Sequence, residues 1–494
     1  MEKKWVVAEK ISEDIISQLL YNRGLKDKKA IANFFSPPMP EVVVAQYPNY
    51  LSKISTVQME EAVKIIKEAV AAGRPIIIHG DYDVDGICGT AILYQTLKSF
   101  GANVTPFIPD RFDEGYGLSI ESINKIRQSI NNQQSTISNC PLLITTDCGI
   151  SAVDEVKYAK EKGFDVIITD HHSKGQALPE ADAIVWIDDL AGAGVAYLFA
   201  SIVYQSMRSH TGIYDSKNGS EFLSLVALAT IADVQPLTGV NRALVKQGLV
   251  ELNARPGLGV QELTRFSGLE GKKIGTYEVG WMLAPRLNAS GRLLNAMESL
   301  KLLITDNPVE AQELAAKLNR INQERQQITQ QTVDEARQQV TQVEKILVLQ
   351  KETWHEGVIG LVAGKIKEEF HRPTVVISTG EKISKGSARS VNGFNIVEAL
   401  HQTQEFLIDA GGHALAAGFT IETAQIRRFQ EKLLAVADSQ LSDGALTPTL
   451  NIDAEVRLGQ LDWNLMENIK KFAPFGVGNP TPVFFDQRSP GLEC

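Results

Sequence analysis

The chain has 494 residues, with 49 Lys and Arg against 59 Asp and Glu and a formal net charge of −10. A composition of 44% hydrophobic and 22% charged residues marks a core-forming chain and argues against disorder, collagen and rod-like coiled coils. At about 150 residues per domain the length allows roughly three domains.

The start, MEKKWVVAEKISED, carries charges where a signal peptide needs an apolar run. The longest apolar stretch, 223–232, is far short of the roughly 20 residues that cross a bilayer. Between residues 74 and 187, short runs rich in Ile, Val and Leu alternate with helix-length segments. The runs at 75–79, 142–146, 165–169 and 183–187 predict strands of a parallel sheet covered on both faces. A helical pattern runs from Val309 to about Val340, about 48 Å at 1.5 Å per residue, long enough to join two domains. Strand signals resume at 346–349 and 374–377, which predicts a second α/β domain to about Ser442. A β pattern at 450–456 and a short helix follow, a piece too small for a domain of its own.

Parallel sheets hold ligands at the carboxyl ends of their strands, and the polar residues concentrate there. The first run ends in His79-Gly80-Asp81-Tyr82-Asp83-Val84-Asp85, the second in Thr146-Asp147-Cys148 and the third in Asp170-His171-His172. A further acid, Asp233, closes the apolar run before it. So many carboxylates in one place repel one another unless cations neutralise them. Oxygen ligands with a few imidazoles suit Mn²⁺ or Mg²⁺ better than structural zinc. Their number suggests two divalent cations, the arrangement that cleaves phosphoester or phosphoanhydride bonds. A single Asp-x-Asp is mostly a turn or a helix cap; four such features at successive strand ends are not explained that way. Cys88, Cys140, Cys148 and Cys494 form no CxxC pair, which suits a reducing cytoplasm. The acidic balance disfavours indiscriminate coating of nucleic acid and leaves room for a local basic groove.

With these motifs in view, the sequence resembles the DHH phosphoesterase superfamily and, within it, the RecJ family of single-strand-specific 5′→3′ DNA exonucleases. HGDYDVDG, TTDCGI, TDHH and VALATIADVQPLTGVNR occur in the family's order. They are followed by APRLNASGR (284–292), HEGVIGLVAGKI (355–366), KGSARS (385–390), GGHALAAGF (411–419) and APFGVGNPTPVF (473–484). The resemblance implies an α/β fold: a parallel-sheet DHH domain (61–240) after an N-terminal segment (1–60), and a helical connector (241–342) containing the long helix. A smaller α/β DHHA1 domain (343–442) and the start of an OB-fold (443–494), normally longer in the family, complete it.

By motif position the resemblance implies metal ligands at His79, Asp83, Asp85, Asp147, His171 and Asp233, with Asp147 bridging two ions and Asp81 outside the set. His172 would face the scissile phosphate, and Asp170 would orient a neighbouring histidine. Arg111, Arg292, Ser387 and Arg389 would bind a 5′ phosphate, with Arg286, Asn288 and His413 as further candidates. Phe112 and Tyr116 lie where bases can stack. The implied partner is single-stranded DNA with a 5′ end, joined by a single-strand-binding protein or a helicase, with no membrane. After Ala183 the family has Asn-Pro and a longer loop, whereas here Val185-Trp186-Ile187-Asp188-Asp189 leads straight to Leu190-Ala191-Gly192. Two other readings compete: hydrolysis of short oligoribonucleotides or small phosphates, and a non-catalytic replication scaffold. The long helix and PFGVGNP segment weigh against the first, and the six retained ligands against the second.

Overall fold

The computed structural model describes residues 3–38, 56–111, 113–132, 140–207 and 216–486. They form two compact units with interleaved chain: Ile11–Asn322 with Arg457–Pro482, and Met1–Lys10 with Gln323–Val456 and Val483–Cys494.

In the larger unit helix α1 (Thr56–Ala71) leads into strand β1 (Ile76–Gly80), then α2 (Val84–Ser99), β2 (Val104–Phe107), α3 (Ile120–Asn132) and β3 (Leu142–Thr146). There follow α4 (Val153–Glu161), β4 (Asp165–Asp170), β5 (Ala183–Trp186) and the helices α5 (Gly192–Met207), α6 (Ser216–Ala232), α7 (Gly239–Ala254) and α8 (Ala284–Leu293). The sheet order is β2-β1-β3-β4-β5, and every pairing is parallel. Alternation along the strands divides the core. Ile76, Ile78, Leu142, Ile144 and Ile167 join residues of α1, α2 and α5 in one cluster. Their neighbours Ile77, Leu143, Val166 and Ile168 pack with α3 and α4 in another, as a period of two requires. The chain leaves β1 toward β2 and returns on its other side at β3, so the switch point lies between β1 and β3. In doubly wound sheets that crevice is where ligands sit.

Helix α9 (Pro308–Gln339) spans 32 residues, and the division between the units falls within it, after Asn322. The smaller unit continues with β6 (Leu347–Lys351), α10 (Ile359–Phe370), β7 (Thr374–Ser378), β8 (Ile383–Arg389), the hairpin β9 (Leu407–His413) and β10 (Ala416–Glu422), and α11 (Ile426–Gln440). Its sheet order is β9-β10-β8-β7-β6, with β6 and β7 parallel and the remaining pairs antiparallel. Val375, Ile377, Phe419 and Ile421 pack on Phe429 and Leu433 of α11, and Leu347, Leu349 and Val376 on α10. Among the described residues no helix is long and apolar enough to cross a membrane.

The sequence reading located four strands of the larger sheet but not β2, a half-exposed edge strand with a proline in it. It also left β8, β9 and β10 unassigned. Their Lys-Gly-Ser-Ala-Arg and Ala-Gly-Gly-His stretches look like loops, because glycine is poor in strands unless tertiary pairing holds it.

Candidate metal centre and phosphate-binding groups

The site grows from the carboxyl edge of the larger sheet. His79 of β1 is fully buried, with its ring stacked on Phe107 of β2 at 5.4 Å. Its Nδ1 lies 3.7 Å from Cys148 Sγ, and its Nε2 has no hydrogen-bond partner. Burial pushes its pKa down to about 4, which keeps the imidazole neutral, the form that binds metals.

Asp83 caps α2, its Oδ1 accepting from the backbone N–H groups of Asp85 (2.9 Å) and Gly86 (3.2 Å). Asp85, in the first turn, reaches the start of α5: Oδ2 accepts from Gly192 N at 2.6 Å and Oδ1 from Ala193 N at 2.7 Å. Two helix N-termini thus converge on neighbouring carboxylates, which favours their negative charge. Position 192 must be glycine. A Cβ there would lie 2.6 Å from Asp147 Oδ1, inside van der Waals contact.

Asp147 follows β3 with a left-handed φ of 62°, a conformation Asp tolerates better than most residues. Its Oδ1 stands 3.0 Å from His171 Nε2, and Asp85 Oδ2 and Asp233 Oδ2 lie 3.7 and 3.9 Å from the same nitrogen. Despite that closeness, neither His171 Nε2 nor Asp147 Oδ1 makes a hydrogen bond, and Asp81 Oδ1 is equally unpartnered. Buried polar atoms are rarely left so. Ligand atoms of Asp85, His171 and Asp233 fall within 4.8 Å of one another, as do those of Asp81, Asp83 and Asp147. Burial, reinforced by neighbouring carboxylates, pushes Asp81 up to about 8 and raises Asp83, Asp85 and Asp147 as well. Hard oxygen donors, neutral imidazoles and uncompensated repulsion fit divalent cations. The geometry brings Asp81 in beside five of the residues expected to bind metal, Asp83, Asp85, Asp147, His171 and Asp233. His79 stands at the same strand edge, outside both groupings.

Asp170 plays another part. Oδ2 accepts from Ile150 N at 2.9 Å, while Oδ1 accepts from His171 N, His172 N and His172 Nδ1 at 2.7, 3.1 and 2.9 Å. With its oxygens filled, it braces His172. Burial would lower the His172 pKa, but the Asp170 carboxylate overrides it and lifts it to about 9. The other His172 nitrogen, Nε2, meets the Tyr116 hydroxyl at 3.1 Å. Trp186 Nε1, at the end of β5, donates to the His172 carbonyl at 2.8 Å.

Asp233 ends α6 in a Schellman turn, with Val234 N bonded to Ile231 O and Gln235 N to Thr230 O, both at 3.2 Å. Gln235 Nε2 then donates to Asp233 Oδ2 at 2.8 Å and lies 3.5 Å from His171 Nδ1.

The arginines divide between the units. Arg111 lies over the Tyr82 ring at 5.3 Å, and the charges of Arg111 and Arg292 both act on the Tyr82 hydroxyl. Phe112 lies outside the described residues. Asn288 Oδ1 accepts from Val84 N at 3.0 Å, pinning α8 to the start of α2. Arg286 braces α8, donating to Asn319 Oδ1 at 3.0 Å and to Met282 O at 2.6 Å. In the smaller unit Arg389 Nη1 donates to Ser387 Oγ at 3.2 Å. A Cβ on Gly360, in the first turn of α10, would lie 3.0 Å from Arg389 Nη2 and 3.1 Å from Ser387 Oγ. Serine, arginine and a helix N-terminus meet there, a combination that suits a phosphate. His413 ends β9, exposed.

Family models match the DHH family N-terminal domain at residues 75–230, within the larger unit, the DHHA1 domain at 343–439, within the smaller, and the RecJ OB domain at 452–490, which has residues in both. The single-stranded-DNA-specific exonuclease RecJ of Escherichia coli is 33% identical over 456 residues, covering 86% of this chain and 77% of its own. The chain belongs to the RecJ family. RecJ of Bacillus subtilis is 36% identical over 438 residues. A crystal structure of RecJ from Thermus thermophilus in complex with Mn²⁺ matches with a TM-score of 0.80 and 30% identity, covering 96% of this chain and 66% of that one. The chain spans 53% of the length of the Bacillus RecJ and 61% of the Thermus RecJ.

Trp186, Gln235 and Gly360 escaped the sequence reading. Each acts through a contact that only the folded arrangement creates, so no local pattern could mark it; only a glycine two residues into the HEGVIGL helix hinted at close approach.

Proposed function

We propose that this chain is a metal-dependent 5′→3′ exonuclease that hydrolyses single-stranded DNA to mononucleotides. The observation that carries the reading is the crowding of Asp85, Asp147 and Asp233 around His171 Nε2 at the switch point, where His171 Nε2, Asp147 Oδ1 and Asp81 Oδ1 are buried without hydrogen-bond partners. His79, Asp83, Asp85, Asp147, His171 and Asp233 would hold two divalent cations, Mn²⁺ or Mg²⁺, with Asp81 a further candidate. Cations there supply positive charge that acidifies the attacking water and steadies the phosphate oxygens.

The remaining steps belong to the side chains. Arg111 and Arg292 in the larger unit, and Ser387 and Arg389 in the smaller, are each suited to a terminal 5′ phosphate, since the planar guanidinium donates paired hydrogen bonds to two oxygens. Asn288 acts indirectly, by fixing the helix that carries Asp83 and Asp85. Asp170 holds His172 by Nδ1, leaving Nε2 to exchange its Tyr116 contact for the substrate. Held charged by Asp170, His172 gives its Nε2 proton to the departing 3′ oxygen as water attacks phosphorus. The released nucleotide keeps its 5′ phosphate, and the shortened strand carries a new one, so each product is the next substrate. The setting is cytoplasmic DNA repair and recombination, where a helicase or single-strand-binding protein presents the strand.

The test follows end-labelled single-stranded DNA with Mn²⁺, comparing 5′-phosphate and 5′-hydroxyl ends. Stepwise loss from the 5′ end, abolished by Asp147→Ala, is expected, and Arg389→Ala should erase the preference for phosphate. Release of phosphate from pyrophosphate without DNA cleavage would transfer the site to a small-molecule hydrolase.

A further inference from the structure

Gln235 touches the metal cluster on one side and a groove on the other. Its amide contacts Asp233 and His171, and the residue also lines a cavity of about 480 Å³ with Ile231, Tyr277, Trp281 and Phe475. That cavity shares Tyr277 and Phe475 with a second one of about 730 Å³. The second is lined by Lys246, Lys273, Lys470 and Lys471 against one acid, Glu278, whose carboxylate caps Gly275 N at 2.8 Å. Lys470 pairs with Glu467 at 2.6 Å and Lys246 donates to Phe35 O, which leaves Lys273 and Lys471 as the lysines there with neither an acidic nor a carbonyl partner among the described residues, on a chain of net charge −10.

The aromatic pair is set out toward solvent. Tyr277 is 65% exposed and Trp281 71%, with ring centroids 6.3 Å apart and planes 30° from each other. Trp281 lies in a π-helical turn, Val279–Leu283, whose end residues are buried. Such a turn adds one residue to the helix and re-aims the side chain between its anchors, and turns of this kind collect at functional sites. Exposed aromatic faces beside a cationic track are the physical signature of single-strand binding, because every base offers a π-face and every linkage a negative charge.

We propose that this groove is the track for the part of the strand lying 3′ of the cleaved bond, its bases stacking on Tyr277 and Trp281 and its phosphates meeting the lysines. The proposal rests on the exonuclease reading and deepens it. Arg111, Tyr82 and Tyr116 gather near His172, whereas Gln235 abuts His171 and Asp233, so the 5′-end contacts and the groove leave the cluster at different residues.

The experiment measures kcat and KM with Mn²⁺ on 5′-phosphorylated DNA of increasing length, from roughly 2 to 20 nucleotides. The unmodified chain is compared with Tyr277→Ala/Trp281→Ala and with Lys273→Glu/Lys471→Glu. The lysine pair is exposed and keeps the test alive if the aromatic variant misfolds. Both variants should leave the shortest substrate unchanged and raise KM on the longest about tenfold, with kcat nearly kept. The lysine variant should also flatten the salt dependence on long strands. Equal losses at every length would make the groove structural, and no loss on long strands would make it the surface of another partner; either overturns the proposal. If the unmodified chain cut no DNA of any length, the exonuclease reading would fall first.

Discussion

Three carboxylates surround His171 Nε2 and none is hydrogen-bonded to it, so the fold holds these like charges together against their repulsion. Burial keeps Asp81 protonated up to about 8, and the Asp170 partnership keeps His172 charged up to about 9; unfolded, the two groups titrate near 3.9 and 6.5. Between pH 6.5 and 9 the folded chain therefore binds more protons than the unfolded one, and its stability falls as pH rises. His79, lowered to about 4, acts in the opposite sense only below pH 6.5. We expect Tm in chelator to drop across pH 6.5–9, and Mn²⁺ to raise Tm and flatten that slope by keeping the carboxylates ionised. A slope unchanged by Mn²⁺, read by differential scanning fluorimetry, would contradict this. Strand-end position pointed to Asp83, Asp85, Asp147 and His171, and the end of an apolar run to Asp233; the fold brings all five together. Alternation along an extended stretch placed Asp81 with its neighbours, and the resemblance set it apart from them; the fold puts its carboxylate beside those of Asp83 and Asp147. Bracing residues such as Trp186 stayed hidden because their contacts depend on other strands.

At the level of elements, the site depends on where helices begin and end. Gly192 lets α5 start against Asp147, and Gly192→Ala should reduce turnover more than tenfold and shrink the Mn²⁺-induced rise in Tm while leaving the circular dichroism spectrum unchanged. Helix α6 ends less comfortably, with Val234 at φ 58° in the position where a Schellman turn ordinarily takes glycine. Left-handed backbone is costly for a β-branched residue. Val234→Gly should stabilise the chain by about 1 kcal/mol, partly offset by added freedom in the unfolded state; a shift of the urea midpoint at constant m would show it. Periodicity revealed the buried strands and the long helix, whose 32 residues lie within one position of the expected span. It failed where glycines pair inside a sheet, because β8 to β10 owe their extended form to partners rather than to their own residues.

On the scale of the whole molecule, motif order runs along the chain but the units do not. Arg242 of α7 is almost fully buried. It donates to Phe34 O at 2.8 Å, Phe472 O at 2.9 Å, Ala473 O at 3.0 Å and Pro474 O at 3.3 Å, tying the first and last pieces of the larger unit together. Asn479 reinforces the tie, with Nδ2 donating to Phe472 O and Pro474 O and Oδ1 accepting from Arg23 Nε. Arg242→Leu leaves several buried carbonyls unpaired, so we expect a loss of about 3 kcal/mol or more in urea unfolding. No hydrophobic pattern announces such a connection, since the sequence separation between Arg242 and its acceptors exceeds 200 residues on either side.

This stitching also sets a schedule for synthesis. Residues 11–322 leave the ribosome long before Arg457–Pro482 exists, and until that segment arrives Arg242 lacks three of its four carbonyl acceptors. The nascent chain must wait with this clasp open, so the larger unit reaches its final form only after the intervening residues 323–456 have been made.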